Sequence, residues 1–295
     1  FRDAPGGCGV QLMRVFGLGA DIDVGALKLG ENRLPCPSCD RGPGDKAMSV
    51  RLEPDGALVW LCHRCGTSGV SRSGDEKSRQ RTAPQPRPAE IRKPGLSDYG
   101  KQLWAATGPL SGAALDYLAA RACVVPPGDG DLRYLAELKH PSGYIGPALV
   151  ALIGDVCTGE ALSLHRTWIC PDGSKAAVDP PRLLLKDHTI RSGVIRLWPN
   201  EAVTACLGIA EGIETALSLA HGFSPVWSCI DAGHMARFPV LPGIEELVIA
   251  ADNDPAGRAA AADCAKRWSA AATVRIVAAE ADGCDLNDEV REWVK

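Results

Sequence analysis

The sequence predicts a multidomain α/β protein. A small cysteine-rich module comes first, then a basic α+β section, then a βαβ part with a mainly parallel sheet. Three observations predict this. Two CxxC pairs lie 22 residues apart near the N-terminus. A stretch rich in proline and basic residues spans 71–95. From Cys206 onward, short apolar runs are each followed by acids, and the first two lead into Ala- and Leu-rich helical sequence.

Composition sets the frame. The chain has 295 residues and 45% hydrophobic content, enough for two or three domains with a sizeable core. No uncharged apolar run approaches the ~20 residues that span a bilayer, and no signal-peptide pattern is present. The chain starts at Phe1 rather than Met, which leaves its native start open. The net charge of −4 is unevenly spread: residues 201–295 carry −8, so residues 1–200 carry +4. An acidic lobe beside a basic one suits a metal-dependent enzyme acting on nucleic acid. Of 12 cysteines, all but the two CxxC pairs are scattered singly, as small buried hydrophobes would be, and a reducing cytoplasm is the expected location.

Residues 1–34 offer a short helix around Val10–Phe16 and no identifiable chemistry. Next, Cys36-x-x-Cys39 and Cys62-x-x-Cys65 each form a knuckle that aims two thiolates at one point. Two knuckles complete a tetrahedral four-sulfur site, which favours structural Zn²⁺. Ala47–Leu52 and Ala57–Leu61 read as strands around the turn Pro54-Asp55-Gly56, which makes the module a zinc ribbon. His63 sits inside the second knuckle as an alternative ligand. Arg33, Arg41, Lys46, Arg51 and Arg64 surround the ribbon, and Trp60 serves either its core or a stacking surface for single-stranded nucleic acid.

Residues 71–95 carry four prolines and seven bases against three acids, with little to bury, and read as a mobile linker. Helical spacing resumes at Tyr99–Ala106 and Ala113–Ala122, with Ser111 placed to cap the second. Pro147–Ile153, Ala161–Trp168 and Val194–Trp198 read as strands. Over 165–196 six bases stand against three acids: Arg166, Lys175, Arg182, Lys186, Arg191 and Arg196. On a strand-rich surface they would hold a template or a triphosphate.

The last part has its acids at the ends of its strands. Cys206–Ala210 stops at Glu211-Gly212, Leu247–Ala251 stops at Asp252-Asn253-Asp254, and Val274–Ala279 is followed by Asp285 and Asp288. In a parallel sheet these acids converge on the rim at the strands' carboxyl ends. Clustered carboxylates with few histidines suit Mg²⁺. Acids after strands also serve as caps, and Asp254 before Pro255 has the form of an N-cap with proline at N1.

EG after one strand, DxDxxG after the next and DxND after the third resemble the Toprim domain of primases, topoisomerases and related nucleases, with Glu211, Asp252, Asp254 and Gly257 on the motif. Bacterial replicative primases usually have an Asp four residues after the Glu. Here that position is Thr215, with Glu214 one residue earlier. With the ribbon and the basic section ahead of it, the chain resembles DNA primases of the bacterial and phage type. The pieces YLAAR, HRTW, PDGSKA, PPR, GVIRLWP and AEGIETALS place it nearest the phage and plasmid primase-like subgroup.

The resemblance implies four parts: N-terminal segment and zinc ribbon over 1–70, linker over 71–96, basic α+β primase-core subdomain over 97–200, and Toprim domain over 201–295. It implies RNA primer synthesis on single-stranded DNA from ribonucleoside triphosphates, with Mg²⁺ or Mn²⁺ held by Glu211, Asp252, Asp254 and Asp285, and Asp288 a weaker candidate. Glu211 would be the general base or metal-orienting acid. Arg166, Lys175, Arg182, Lys186 and Arg196 would contact nucleotide or DNA, and the ribbon would help choose the start site. Asn287 sits where related phage enzymes have Asn. No GxxxxGK[ST] is present, so any helicase would be a separate partner or lie outside this sequence. Two other readings stand beside this one: a non-catalytic zinc/Toprim DNA binder of the recombination-mediator type, and a Toprim nuclease. The section of about 130 residues between zinc and Toprim favours the primase. None of Tyr99, Tyr117, Tyr134 and Tyr144 sits in a topoisomerase motif.

Overall fold

The structure, a computed structural model, describes residues 12–15, 20–39, 42, 44–65, 67–71 and 95–293. The expected linker falls outside them from 72 to 94, as does Arg41. The chain divides into two compact units, Phe1–Pro86 and Arg87–Lys295.

In the first unit, β1 (Leu12–Val15) pairs antiparallel with β2 (Ala20–Asp23). This corrects the helix expected around Val10–Phe16. An apolar run this short does not distinguish helix from strand by periodicity, and the neighbouring ADID segment supplies a strand partner. Strands β3 (Gly30–Leu34), β4 (Met48–Leu52), β5 (Leu58–Cys62) and β6 (Ser68–Ser71) form an antiparallel sheet in sequence order. Met48, Val50, Leu58 and Trp60 are buried with Cys36 and Cys62 in one small core. Trp60 is 3% exposed and so belongs to that core, not to a stacking surface.

The second unit begins with α1 (Asp98–Ala105) and α2 (Ala113–Ala120). The first residue before α2 is Gly112, with no side-chain cap. Ser111, expected to cap it through its hydroxyl, instead offers its backbone carbonyl to the Ala114 amide at 3.1 Å. Then follow β7 (Leu132–Lys139), β8 (Ile145–Asp155), β9 (Ala161–Trp168), β10 (Arg182–Leu184) and β11 (Gly193–Arg196). The βαβ part contains β12 (Cys206–Ala210), α3 (Ile213–Leu219), β13 (Val226–Ser228), α4 (Ala232–Arg237), β14 (Glu246–Ala251), α5 (Pro255–Trp268), β15 (Thr273–Ala278) and α6 (Leu286–Trp293).

One nine-stranded sheet runs through the whole unit in the order β10-β9-β8-β11-β13-β12-β14-β15, with β7 also on β8. Strands β13, β12, β14 and β15 are parallel, and β11 joins them antiparallel through Ile195–Ser228 and Arg196–Trp227. Strand side chains alternate between faces, and the cores follow that alternation. Ala210, Val248 and Ala250 pack with α3 and α6 on one face. Leu207, Ile209, Leu247 and Ile249 pack with α4 and α5 on the other. On β8, Leu149, Ala151 and Ile153 join the first of these cores together with α2, while Ala148 and Val150 pack under α1 with Trp168. One continuous core therefore links the basic section to the βαβ part. No helix among the described residues is long and apolar enough to cross a membrane.

Candidate active site and metal centres

The four expected zinc ligands come together. Cys36, Cys39, Cys62 and Cys65 place their sulfurs within 4.8 Å of one another, with Cys36–Cys65 at 3.6 Å and Cys39–Cys62 at 3.7 Å. Zn–S bonds of about 2.3 Å in a tetrahedron require sulfurs roughly 3.8 Å apart, so the cluster fits the ion. The amides of Arg64 and Cys65 point at the Cys62 sulfur, at 3.4 and 3.5 Å. They support a thiolate there. His63 is turned away, with Nε2 3.1 Å from the Ser49 hydroxyl, and is not a ligand. Arg64 is paired with Asp45 at 2.9 Å and Arg51 with Glu53 at 3.2 Å, whereas Arg33 is exposed.

In the second unit, Glu211 follows β12, Asp252 and Asp254 follow β14, and Asp285 precedes α6, so the fold brings all four to one rim. Asn253 holds the rim together. Its amide donates to the Cys284 carbonyl at 2.9 Å, and its side chain donates to the Ala279 and Ala281 carbonyls at 2.9 and 3.1 Å. The loop carrying Asp285 is thereby tied to the loop carrying Asp252. Gly257 completes the DxDxxG pattern because a Cβ there would lie 2.3 Å from the Asp252 carbonyl oxygen.

Asp254 is also a cap: its Oδ1 accepts from the Gly257 amide at 2.8 Å, with Pro255 opening α5. That leaves its second oxygen for other work. Asp285 and Asp288 form a reciprocal capping pair, each carboxylate accepting the other's amide, at 2.9 and 3.3 Å. Asn287 is buried, donating to the Arg121 carbonyl at 2.7 Å and the Ser218 hydroxyl at 3.0 Å. It fastens α6 and holds no ligand. Thr215 stands 3.5 Å from an Asp252 oxygen.

The rim is electrostatically strained. Burial, then Asp252, Asp254 and Asp231, push Glu211 up to about 7. Burial, then Asp285 and Asp254, push Asp252 up to about 6. Burial also raises Asp285. Carboxylates held this close disfavour one another's charge, and a hard divalent cation relieves that. The donor set of Glu211, Asp252, Asp254 and Asp285 fits Mg²⁺ or Mn²⁺ in kind. Among the described residues the four cysteines are the one group already gathered within metal-binding distance.

Beside the rim stands a cationic cluster from the basic section. Arg182, at the start of β10, donates to Glu214 at 2.5 Å and also lowers Asp252. Lys175 is pulled down to about 8 by burial and then by Arg182. Arg121 donates to the Gly173 carbonyl at 2.8 Å and to Asn287 at 3.2 Å, which fixes the turn carrying Lys175 against α6.

Two expected contacts are corrected. Arg196 is buried, donating to Asn200 at 2.8 Å and to the Asp155 carbonyl at 2.7 Å, with its guanidinium 5.0 Å from the Trp227 ring centre. Arg166 is buried, donating to the Leu184 carbonyl at 2.9 Å over Trp168. Both guanidiniums face inward and are not available to phosphate. Lys186 is exposed beyond β10. The sequence reading missed Asp231, which caps α4 and adds charge beside Glu211, because β13 ahead of it has only three residues. It also missed the roles of Tyr117 and Arg121, which nothing in local pattern signals.

Residues 206–293 match the family described as Toprim domain, and residues 95–197 match a domain of unknown function (DUF7146). Residues 206–293 thus form a Toprim domain, and a four-cysteine cluster precedes it in the chain. No curated protein matches the chain. Among solved structures, the primase fragment of the bacteriophage T7 primase-helicase protein is similar at 17% identity and a TM-score of 0.40, covering 88% of this chain and 93% of that one. The zinc-binding and RNA polymerase domains of Aquifex aeolicus primase are similar at 14% identity and a TM-score of 0.42, covering 96% and 77%. A DNA primase domain from Pseudomonas aeruginosa is similar at 16% identity and a TM-score of 0.35, covering 68% and 60%.

Proposed function

We propose that this protein is a DNA primase that synthesises short RNA primers on single-stranded DNA. The observation that carries the reading is the strained rim of Glu211, Asp252 and Asp285 facing the cations Arg182 and Lys175. Primer synthesis joins a 3′-hydroxyl to the α-phosphate of a nucleoside triphosphate and expels pyrophosphate. Its substrates bring negative charge and a hydroxyl proton to one point, and this site receives both.

Asp252, Asp254 and Asp285 would hold a divalent ion, which would supply positive charge to the reacting phosphate. Glu211, poised near neutrality, accepts the hydroxyl proton. Arg182 and Lys175 take the outer phosphates as fixed donors, so the triphosphate is oriented from the side opposite the acids. The four cysteines would hold zinc as a structural ion, with exposed Arg33 nearby as a template contact.

The test is incubation with single-stranded DNA, labelled ribonucleotides and Mg²⁺ or Mn²⁺. Short RNA products are expected. Asp252→Asn and Asp254→Asn should each cut synthesis by on the order of 10²–10³-fold, since the charge stabilisation lost is several kcal/mol, while both variants stay folded. Asn is itself a good N-cap, so a purely capping Asp254 would tolerate the change. Full activity in both variants removes the metal assignment. DNA binding with no synthesis in either metal leaves the zinc/Toprim binder.

A further inference from the structure

The two acids of the GluGlyIleGlu segment, Glu211 and Glu214, do opposite work. Glu211 ends on the rim, whereas Glu214 lies in the first turn of α3, a helix buried along its whole length. Glu214 is 6% exposed and accepts from the Tyr117 hydroxyl at 2.7 Å and from Arg182 at 2.5 Å. These partners come from α2 and β10, both in the section N-terminal to the Toprim domain. A buried ion pair is a poor stabiliser compared with packed hydrophobes. Its placement at the edge of the site, within a buried polar network that includes Ser218 and Asn287, points to a different use.

Arg182 shows what that use is. One guanidinium nitrogen is spent on Glu214, yet the side chain keeps 39% of its surface and its field reaches Asp252. The guanidinium is therefore anchored on Glu214 and still partly open to solvent. Lys175 stands close enough to be repelled by it, and the field of Glu214 reaches both cations.

We propose that Glu214, oriented by Tyr117, is a positioning residue that aims Arg182 at the nucleotide's phosphates, and that it is not a ligand of the catalytic metal. The proposal rests on the primase reading only for the identity of the nucleotide as substrate. It explains how a chain with Thr215 at the position four after Glu211 can carry Glu214 without adding a carboxylate to the rim.

The test measures equilibrium binding, not synthesis. A fluorescently labelled ribonucleoside triphosphate and, separately, Mn²⁺ read by electron paramagnetic resonance are titrated into the full chain. Glu214→Gln should weaken nucleotide binding about tenfold or more, the size of a charge-assisted contact, with Mn²⁺ affinity unchanged within about twofold. Tyr117→Phe should act in the same direction by roughly threefold, the worth of one neutral hydrogen bond. If Glu214→Gln does not fold, Tyr117→Phe decides. Unchanged nucleotide affinity in the folded variant overturns the proposal. So does an equal loss of Mn²⁺ affinity, which would make Glu214 a metal ligand. Wild-type protein that binds nucleotide but makes no primer would overturn the primase reading and leave Glu214's role standing. Wild-type protein that binds no nucleotide would overturn both.

Discussion

Glu211 is the residue whose chemistry is most exposed to measurement. Its folded pKa, about 7, lies above the ordinary carboxylate value of 4.5. A raised carboxylate pKa means that the folded state favours the protonated form. The cost of ionising Glu211 is therefore absent below about pH 4.5, grows as pH rises, and is complete above about pH 7. In magnesium-free buffer, Glu211→Gln should melt with the wild type at pH 4.5 and above it at pH 8. The lead should be roughly 2–4 °C for each kcal/mol relieved. Saturating Mg²⁺ should shrink that lead, because the cation relieves the same repulsion. Melting curves at the two pH values, with and without Mg²⁺, check this. A wild type that matches the variant at pH 8 would show that Glu211 is not strained.

Among the elements, the four-stranded ribbon depends most on something outside its own packing. Its core is a handful of side chains around Trp60 and Met48, with two of the cysteines inside it. So small a core gives little stability without a staple. Structural zinc in peptides of this kind contributes about 10–16 kcal/mol. Cys62→Ser should lose the ion and unfold the ribbon, while the melting of the second unit stays in place, since that unit has its own cores. Elemental analysis should find one zinc per wild-type chain and far less in the variant. Zinc-free wild type under reducing conditions would remove the site.

At the scale of the molecule, the nine-stranded sheet and the core beneath it cross from the 95–197 segment into the Toprim segment. Tyr117, Leu149 and Ile153 share that core with Ala210, Leu217 and Val248. Residues 201–295 expressed alone should therefore show no cooperative melt, by circular dichroism, where 87–295 does. A cooperative transition in the short piece would mean that the shared core is dispensable.

The same long-range packing marks the boundary of what the sequence shows. The parallel strands were legible because central strands buried on both faces read as unbroken apolar runs, as LVIAA does before Asp252. The zinc ligands were legible because knuckle spacing is local. Strand β13 was not, being three residues long, nor was the short helix α4. The basic residues divided in a way composition cannot reveal. Arg182 reached the rim while Arg166 and Arg196 turned into the core, because strand register and the position of Trp168 and Trp227 decide where each side chain ends. Glu214 finds Tyr117 across 97 residues of chain, and no local pattern announces such a pairing.

The space missing at Gly257 also bears on genetics. A methyl group there collides with the Asp252 carbonyl, a backbone atom that cannot swing aside. A Gly257→Ala allele changes no charge and removes no donor, yet it displaces the carboxylate on which the proposed chemistry turns. In a screen for loss of the proposed primer synthesis it would score beside the aspartates, and a map of intolerant positions would mark as chemical a residue whose contribution is to leave room.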